Sequence, residues 1–316
     1  MRMLELGNTK IVVSEMCVGT VPLGKMQADV PPDRGAEAIS RAIDLGVNFI
    51  DTAQLYRTYP HVAHAIRGIE KDLVVASKSK AANYEEMEKA IYECRKALHR
   101  QVIDIFSLHG VHDETDLNSR GWALKCILDF KEAGAVRAVG ATVGGVAGLR
   151  AAADCPEIEV VMVRLNEKGI GVSDGSVEEC LETARLCRKR GKAVCATAPL
   201  GGGYLIDHAV EAISFVRNLE EIDAVVVDVL APQEAEMNVR IFNGEDIPPE
   251  LAGAVKGRHR RIVIDDDCSA CGRCVEVCPQ GALSKKKGKK PKLDQSKCTL
   301  CGRCAQACPE FAIRVV

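Results

Sequence analysis

Residues 33–51 read DRGAEAISRAIDLGVNFID and hold one full copy of the unit that builds most of this chain. The amphipathic stretch 33–45 predicts a helix. Gly46 follows where a C-terminal glycine cap belongs. Val47 to Asp51 then form a short apolar run of strand type. The unit repeats on either side. Apolar runs at 16–20, 73–78, 102–109, 136–142, 158–165, 193–198 and 224–230 predict further strands. Amphipathic stretches at 61–69, 84–99, 119–133, 144–153, 176–190, 207–219 and 232–243 predict the helices between them. Gly134 and Gly191 cap two of these helices, and Ser176 ahead of Glu178 and Glu179 starts another. The strands are near-continuously apolar, as parallel strands covered on both faces are. Eight such pairs over residues 1–243 predict a closed (β/α)8 TIM barrel. An open doubly wound sheet is the alternative, but no G-x-G-x-x-G follows the first strand. Met3 to Leu6 and Lys10 to Val13, around Gly7-Asn8, read as a hairpin ahead of the barrel.

The bulk numbers exclude several classes. A net charge of −2 gives no reason to expect nucleic acid as a partner. No window approaches about 18 uncharged apolar residues, so no membrane-spanning helix is expected. The first residues, MRMLELGNTK, lack the apolar core of a signal peptide. The 15 cysteines show no disulfide framework, which predicts a reducing, cytoplasmic setting. Cys17, Cys94, Cys126, Cys155, Cys180, Cys187 and Cys195 are expected to be small buried hydrophobes.

The remaining cysteines carry chemistry. Cys268, Cys271, Cys274 and Cys278 read C-x2-C-x2-C-x3-C-P, and Cys298, Cys301, Cys304 and Cys308 repeat that spacing and its proline. This is the run of bacterial ferredoxins, in which three close thiolates hold one 4Fe–4S cube and the fourth reaches across to another. One cluster is therefore expected on Cys268, Cys271, Cys274 and Cys308, and a second on Cys298, Cys301, Cys304 and Cys278. Two clusters in tandem carry single electrons. Residues 262–316 are read as a small α+β ferredoxin-like domain. Residues 244–261, with Pro248, Pro249 and the basic run Lys256 to Arg261, are read as a linker with one short helix.

Chemistry in a (β/α)8 barrel sits at the C-terminal strand ends. Asp51 ends the second strand, Tyr56 lies in the loop after it, Lys78 ends the third strand and His109 the fourth. Each alone has a duller reading. Asp51 can cap a turn, Tyr56 can be a packing residue, His109 a satisfied structural histidine, and Lys80 competes with Lys78 as the tyrosine's partner. Together, with LGVNFIDTAQLY (45–56), VVASK (74–78), IDIFSLH (103–109), GAVRAVGAT (134–142) and APLGGGYL (198–205), they resemble the aldo-keto reductase family. That resemblance implies reduction of a small carbonyl or oxidation of an alcohol, with Tyr56 as proton donor. The physical logic is independent of it. An unperturbed tyrosine, with a pKa near 10, is a poor acid at neutral pH. The Lys78 ammonium is expected to lower that value, Asp51 to hold Lys78, and His109 to donate a hydrogen bond to the carbonyl oxygen.

The nicotinamide side departs from the pattern. Where the family usually has Ser-Asn, Gln and a stacking Tyr, this chain has Thr142-Val143, Met162 and Thr197. Where NADPH-preferring members use Lys and Arg, it has Asp228 and Glu234, which would repel a phosphate. Arg57 replaces the glycine usual after the catalytic tyrosine and is expected to reshape the pocket mouth. Asn166, the Leu200-Gly201-Gly202-Gly203 loop and Asn238 remain compatible with a dinucleotide. Either NAD(H) replaces NADP(H), or the hydride donor is gone and electrons come from the clusters. A flavin would convert one-electron to two-electron chemistry, though no flavin motif is present.

Two expectations concern the whole chain. The linker is long enough to put the clusters at either end of the barrel, and docking beside the active-site mouth is the hypothesis. The run KKKGKKPK at 285–292 is either a solvated turn offsetting Asp265, Asp266 and Asp267, or a docking patch for an acidic redox partner such as a ferredoxin or flavodoxin. The leading reading is an iron–sulfur oxidoreductase. The rival is an electron-transfer subunit of a larger redox complex, its barrel reduced to a scaffold.

Overall fold

A computed structural model of the chain describes residues 1–69, 72–255, 260–266 and 268–316. Two short antiparallel strands come first, β1 (Met3–Glu5) and β2 (Val12–Ser14). Eight parallel strands follow: β3 (Met16–Gly19), β4 (Phe49–Asp51), β5 (Val74–Ser79), β6 (Ile103–Val111), β7 (Val136–Val143), β8 (Val160–Arg164), β9 (Ala193–Thr197) and β10 (Ala224–Asp228). They pair in chain order, and β10 closes onto β3. Helices α1 (Pro32–Asp44), α2 (Tyr59–Ile66), α3 (Tyr84–Leu98), α4 (Glu114–Ser119), α5 (Gly121–Glu132), α6 (Val146–Asp154), α7 (Val177–Lys189), α8 (Ala209–Arg217) and α9 (Pro232–Asn243) surround the barrel.

Two apolar cores follow from this layering. One lies between strands and helices and includes Ile39, Ile43, Ile91, Phe106, Val161 and Phe242. The other fills the barrel interior. There Leu6, Ile11 and Val13 of the hairpin meet Cys17, Phe49, Ile105, Met162 and Cys195. The hairpin thus plugs the N-terminal end of the barrel. Of the seven cysteines outside the C-terminal runs, only Cys155 is partly exposed.

Element ends differ from expectation where a local cap wins. The helix expected over 119–133 is split, because the Asp113 side chain accepts from Asp116 N at 2.8 Å and starts α4 early. The helix expected from residue 61 starts at Tyr59, with Pro60 in its first turn.

After α9 the chain turns back. Helix α10 (Pro249–Val255) packs against α9. Lys256 to His259 of the basic run, and Asp267, lie outside the described residues. The C-terminal part pairs β11 (Ile262–Ile264) with β14 (Ile313–Val315), and β12 (Leu283–Ser284) with β13 (Lys292–Leu293). Helices α11 (Arg273–Glu276) and α12 (Arg303–Ala307) lie between the strands. Its own core is only Cys274, Leu283, Cys304 and Ile313, with six partly buried neighbours. Val315 N donates to Met26 O at 3.1 Å, Lys80 Nζ to Gln306 Oε1 at 3.2 Å, and the Tyr204 hydroxyl to Cys298 O. These contacts seat the ferredoxin-like part over the C-terminal strand ends, away from the hairpin, as the docking hypothesis expected. Among the described residues no helix is long and apolar enough to cross a membrane.

Candidate active site

Asp51 and Lys78 meet at the top of the barrel. Lys78 Nζ donates to Asp51 Oδ1 and Oδ2 at 2.7 and 2.6 Å and to Thr52 O at 3.0 Å. Burial alone would strip the Lys78 proton, but Asp51 and Tyr56 outweigh it and hold the ammonium. The ammonium lies 4.8 Å from the centre of the Tyr56 ring. His109 meets that ring edge-on, centroids 5.7 Å apart. The four residues therefore come together. Lys80 does not compete, since it is exposed and turned to Gln306.

The proton affinities depart from expectation. Burial pushes the Tyr56 phenol up to about 12; Lys78 pulls it down, but less strongly. Burial, then Lys78, Lys80 and Arg120, push His109 well below the usual histidine range, so its imidazole is neutral. Its Nδ1 is buried with no hydrogen-bond partner among the described residues.

The tyrosine's loop is fastened from beneath. Thr20 Oγ1 donates to Asp51 O at 3.0 Å, and the Thr58 hydroxyl lies 2.9 Å from those of Thr20 and Thr52. Gly24 is required for close approach, because a Cβ there would fall 1.9 Å from Tyr56 O. Arg57, where a glycine was expected, adopts a left-handed conformation with φ 61°. Its side chain turns out to Glu93, at 3.7 Å, so the pocket mouth is not reshaped by it.

Above Tyr56 lies a cavity of about 700 Å³. Its wall joins both parts of the chain: Tyr56, Arg164, Gly202 and Asp228 from the barrel, Leu300, Cys301 and Gln306 from the ferredoxin-like part. Strand parity explains the barrel side. Asp51, Lys78, Arg164 and Asp228 each lie two residues beyond an interior side chain: Phe49, Ala76, Met162 and Val226. They share its face and crown the barrel. Arg164 escaped the sequence reading, although its spacing from Met162 carried the signal. Asp228 pairs with Arg260 at 3.7 Å.

Part of the set expected to meet a nicotinamide has partners within the chain. Asn166 Nδ2 donates to Ile170 O and Ala198 O, while its Oδ1 accepts from Lys168 N and Ile170 N. Thr142 Oγ1 accepts from Gly110 N, Thr197 Oγ1 donates to Val163 O, and Met162 is in the barrel interior. Glu234 accepts from Leu230 N at the start of α9. Gly201, Gly202 and Gly203 all have positive φ. A Cβ on Gly202 would sit 3.0 Å from Leu300 O. The glycine turn therefore receives the second cysteine loop. Leu200 and Asn238 line the same cavity.

The cysteines fit two clusters. Cys278, Cys298, Cys301 and Cys304 line one small cavity, and Ala282 N donates to Cys278 Sγ at 3.3 Å. Cys274 feels the thiolates of Cys268, Cys271 and Cys308. Both loops turn through left-handed residues at equivalent places, Ala270 and Gly272, Leu300 and Gly302. Among the described residues no three of His, Cys, Asp and Glu converge tightly enough for a single metal ion.

Comparison with known proteins agrees with both halves. The aldo/keto reductase family pattern matches residues 15–244, and that of a 4Fe-4S dicluster domain matches residues 267–312. L-galactose dehydrogenase of Arabidopsis thaliana is 24% identical over 216 residues, 64% of this chain and 66% of that protein. 2,5-diketo-D-gluconic acid reductase B of a Corynebacterium is 33% identical over 113 residues, 34% of this chain and 40% of that protein. An uncharacterised oxidoreductase of Bacillus subtilis, YqkF, is 26% identical over 159 residues, 44% of this chain and 48% of that protein. The chain thus spans less than two thirds of these relatives. An aldo-keto reductase from Bacillus halodurans superposes with a TM-score of 0.65 at 17% identity, covering 81% of this chain and 95% of that one. A Pseudomonas aeruginosa structure described as the putative aldo-keto reductase gives 0.64 at 22%, covering 76% and 93%. The chain belongs to the aldo/keto reductase family and carries a 4Fe-4S dicluster domain after its barrel.

Proposed function

We propose that this chain interconverts a small carbonyl compound and its alcohol in the cavity above Tyr56, exchanging electrons through two 4Fe–4S clusters. The observation that carries this reading is the shared wall: Cys301 and Tyr56 face one cavity. Cys268, Cys271, Cys274 and Cys308 would hold one cluster, and Cys298, Cys301, Cys304 and Cys278 the other. Each bound cluster supplies one electron at a time, and a carbonyl becomes an alcohol by gaining two electrons and two protons. The residues handle the protons and the oxygen. Neutral His109 donates a hydrogen bond to the carbonyl oxygen and orients it. Tyr56 gives that oxygen its proton, water entering the cavity gives the carbon the second, and the Lys78 ammonium stabilises the tyrosinate left behind. Asp51 keeps Lys78 charged and in place.

NAD(H) or NADP(H) is the competing electron source, and a flavin remains a third. The occupied glycine turn and the engaged Thr142, Asn166 and Thr197 favour the clusters over a nicotinamide. The same observations also suit the second reading, a redox-complex subunit with a silent barrel; the assembled tetrad favours the enzyme. A reducing, cytoplasmic setting goes with either.

Anaerobic, cluster-loaded protein with reduced methyl viologen and a carbonyl panel tests the proposal. Turnover is expected without added nicotinamide. Tyr56→Phe is expected to lower kcat by about 100-fold or more with iron content unchanged, the usual scale for a general acid. Turnover only with NADH or NADPH would return the hydride role to a nicotinamide. No turnover with any carbonyl would leave the scaffold reading.

A further inference from the structure

The cavity's acids are matched and one of its cations is not. On its wall Asp228 is held by Arg260; Asp51, which is not on the wall, is held by Lys78. Asp207 and Glu234, also on the wall, have partners of their own. Arg164 lines the same wall, half-buried, and among the described residues makes no hydrogen bond or ion pair. Burial penalises its charge; Cys301, Tyr56 and Asp228 attract it without bonding to it, and Arg303 repels it. A half-buried guanidinium with no hydrogen-bond acceptor leaves its donors open to an anion.

The geometry points to Arg164 as the anchor for a substrate carboxylate, making the substrate a 2-oxo acid or the matching 2-hydroxy acid. This rests on the reading of the cavity as a carbonyl pocket. Arg164 and Tyr56 crown one barrel end and face one cavity. A carboxylate on the planar guanidinium fork would hold the adjacent carbonyl carbon in the cavity that Tyr56 lines. A carboxylate fits better than a phosphate, since Asp51 and Asp228 disfavour a second negative charge.

The test uses the full, cluster-loaded chain. Oxamate, a 2-oxo acid analogue that is not reduced, is titrated calorimetrically, with acetamide as the neutral control. Oxamate is expected to bind and acetamide not. Arg164→Gln is expected to weaken oxamate on the order of 10- to 100-fold, the worth of a charge-assisted hydrogen bond. Arg164→Lys should recover part of the loss. The kcat/KM preference for pyruvate over neutral butane-2,3-dione should fall by the same factor. Equal oxamate binding by Arg164→Gln, or none by the natural chain, overturns the assignment. So does a shifted cluster potential with unchanged oxamate affinity, which would make Arg164 a tuner of the cluster. Turnover of neutral carbonyls alone sinks this inference and leaves the proposed function standing. Arg164-dependent oxamate binding without any carbonyl turnover does the reverse.

Discussion

Arg57 holds a backbone conformation that favours glycine. At φ 61° it holds the left-handed turn that ends the 3-10 turn Gln54–Tyr56 and fixes the pose of the tyrosine. That conformation costs a non-glycine residue about 1–2 kcal/mol, and the exposed pair with Glu93 returns little. Arg57→Gly is therefore expected to raise stability, by about 1 kcal/mol at most after the added chain entropy. Chemical denaturation of the two chains side by side measures it; a loss of stability would mean that the Glu93 contact matters more than the turn. The titrating groups of the site give a second expectation. A phenol raised to about 12 stays protonated below that pH, and a histidine pushed below its usual range stays neutral above it. Carbonyl reduction should thus be flat from about pH 6 to pH 9, a window in which an ordinary histidine would titrate. A step centred near pH 7 in kcat/KM would show that Tyr56 or His109 titrates in that window.

Among the elements, the turn after β9 is where the two parts of the chain meet. Gly202, at φ 76°, leaves only 3.0 Å between a Cβ and Leu300 O. Gly202→Ala combines backbone strain with a collision at the seam. It is expected to keep its iron but lose carbonyl turnover on the order of 10-fold, because Cys301 is displaced relative to Tyr56. Cluster absorbance and viologen-driven turnover on the same sample check this; parallel loss of iron would place the damage inside the cluster fold instead. The elements also show what a sequence can and cannot carry. The alternation of apolar runs and amphipathic stretches specifies the barrel, because parallel strands buried on both faces must be apolar throughout. Asp51, Lys78 and His109 were readable from strand ends and Tyr56 from the loop that follows. Arg164 obeys the same parity, but an arginine at a strand end has no partner spacing in the sequence to mark it. The seam itself was unreadable: an extended linker of this length reaches either end of the barrel. The packing of Leu300 on the glycine turn and the contacts of Val315, Gln306 and Cys298 with the barrel select one.

Across the whole molecule the two cysteine sets are not equivalent. Cys301 faces the barrel cavity, whereas Cys271 is exposed on the other set. Beside Cys271 lies the lysine loop, with Lys285 Nζ donating to Ala270 O. Only part of that loop is neutralised: Lys290 meets Asp266 at 2.9 Å, and Asp265 is held by Arg314. Lys286, Lys287, Lys289 and Lys292 are exposed and form no ion pair among the described residues. We propose that this layout suits a polarised wire, in which an acidic carrier docks at the outer set and electrons pass to the barrel through the inner one. Long-range attraction between such surfaces raises association rates by about 10- to 1,000-fold at low salt and is screened over roughly 8–10 Å at physiological salt. Reduction of the chain by an acidic flavodoxin or ferredoxin should therefore slow steeply as salt is added. The paired substitution Lys286→Glu with Lys289→Glu should lower the flavodoxin rate relative to the methyl viologen rate and flatten the salt slope. Stopped-flow traces across a salt series decide it: a slope already flat in the natural chain would make the lysines a solvated turn and leave the carrier to dock elsewhere.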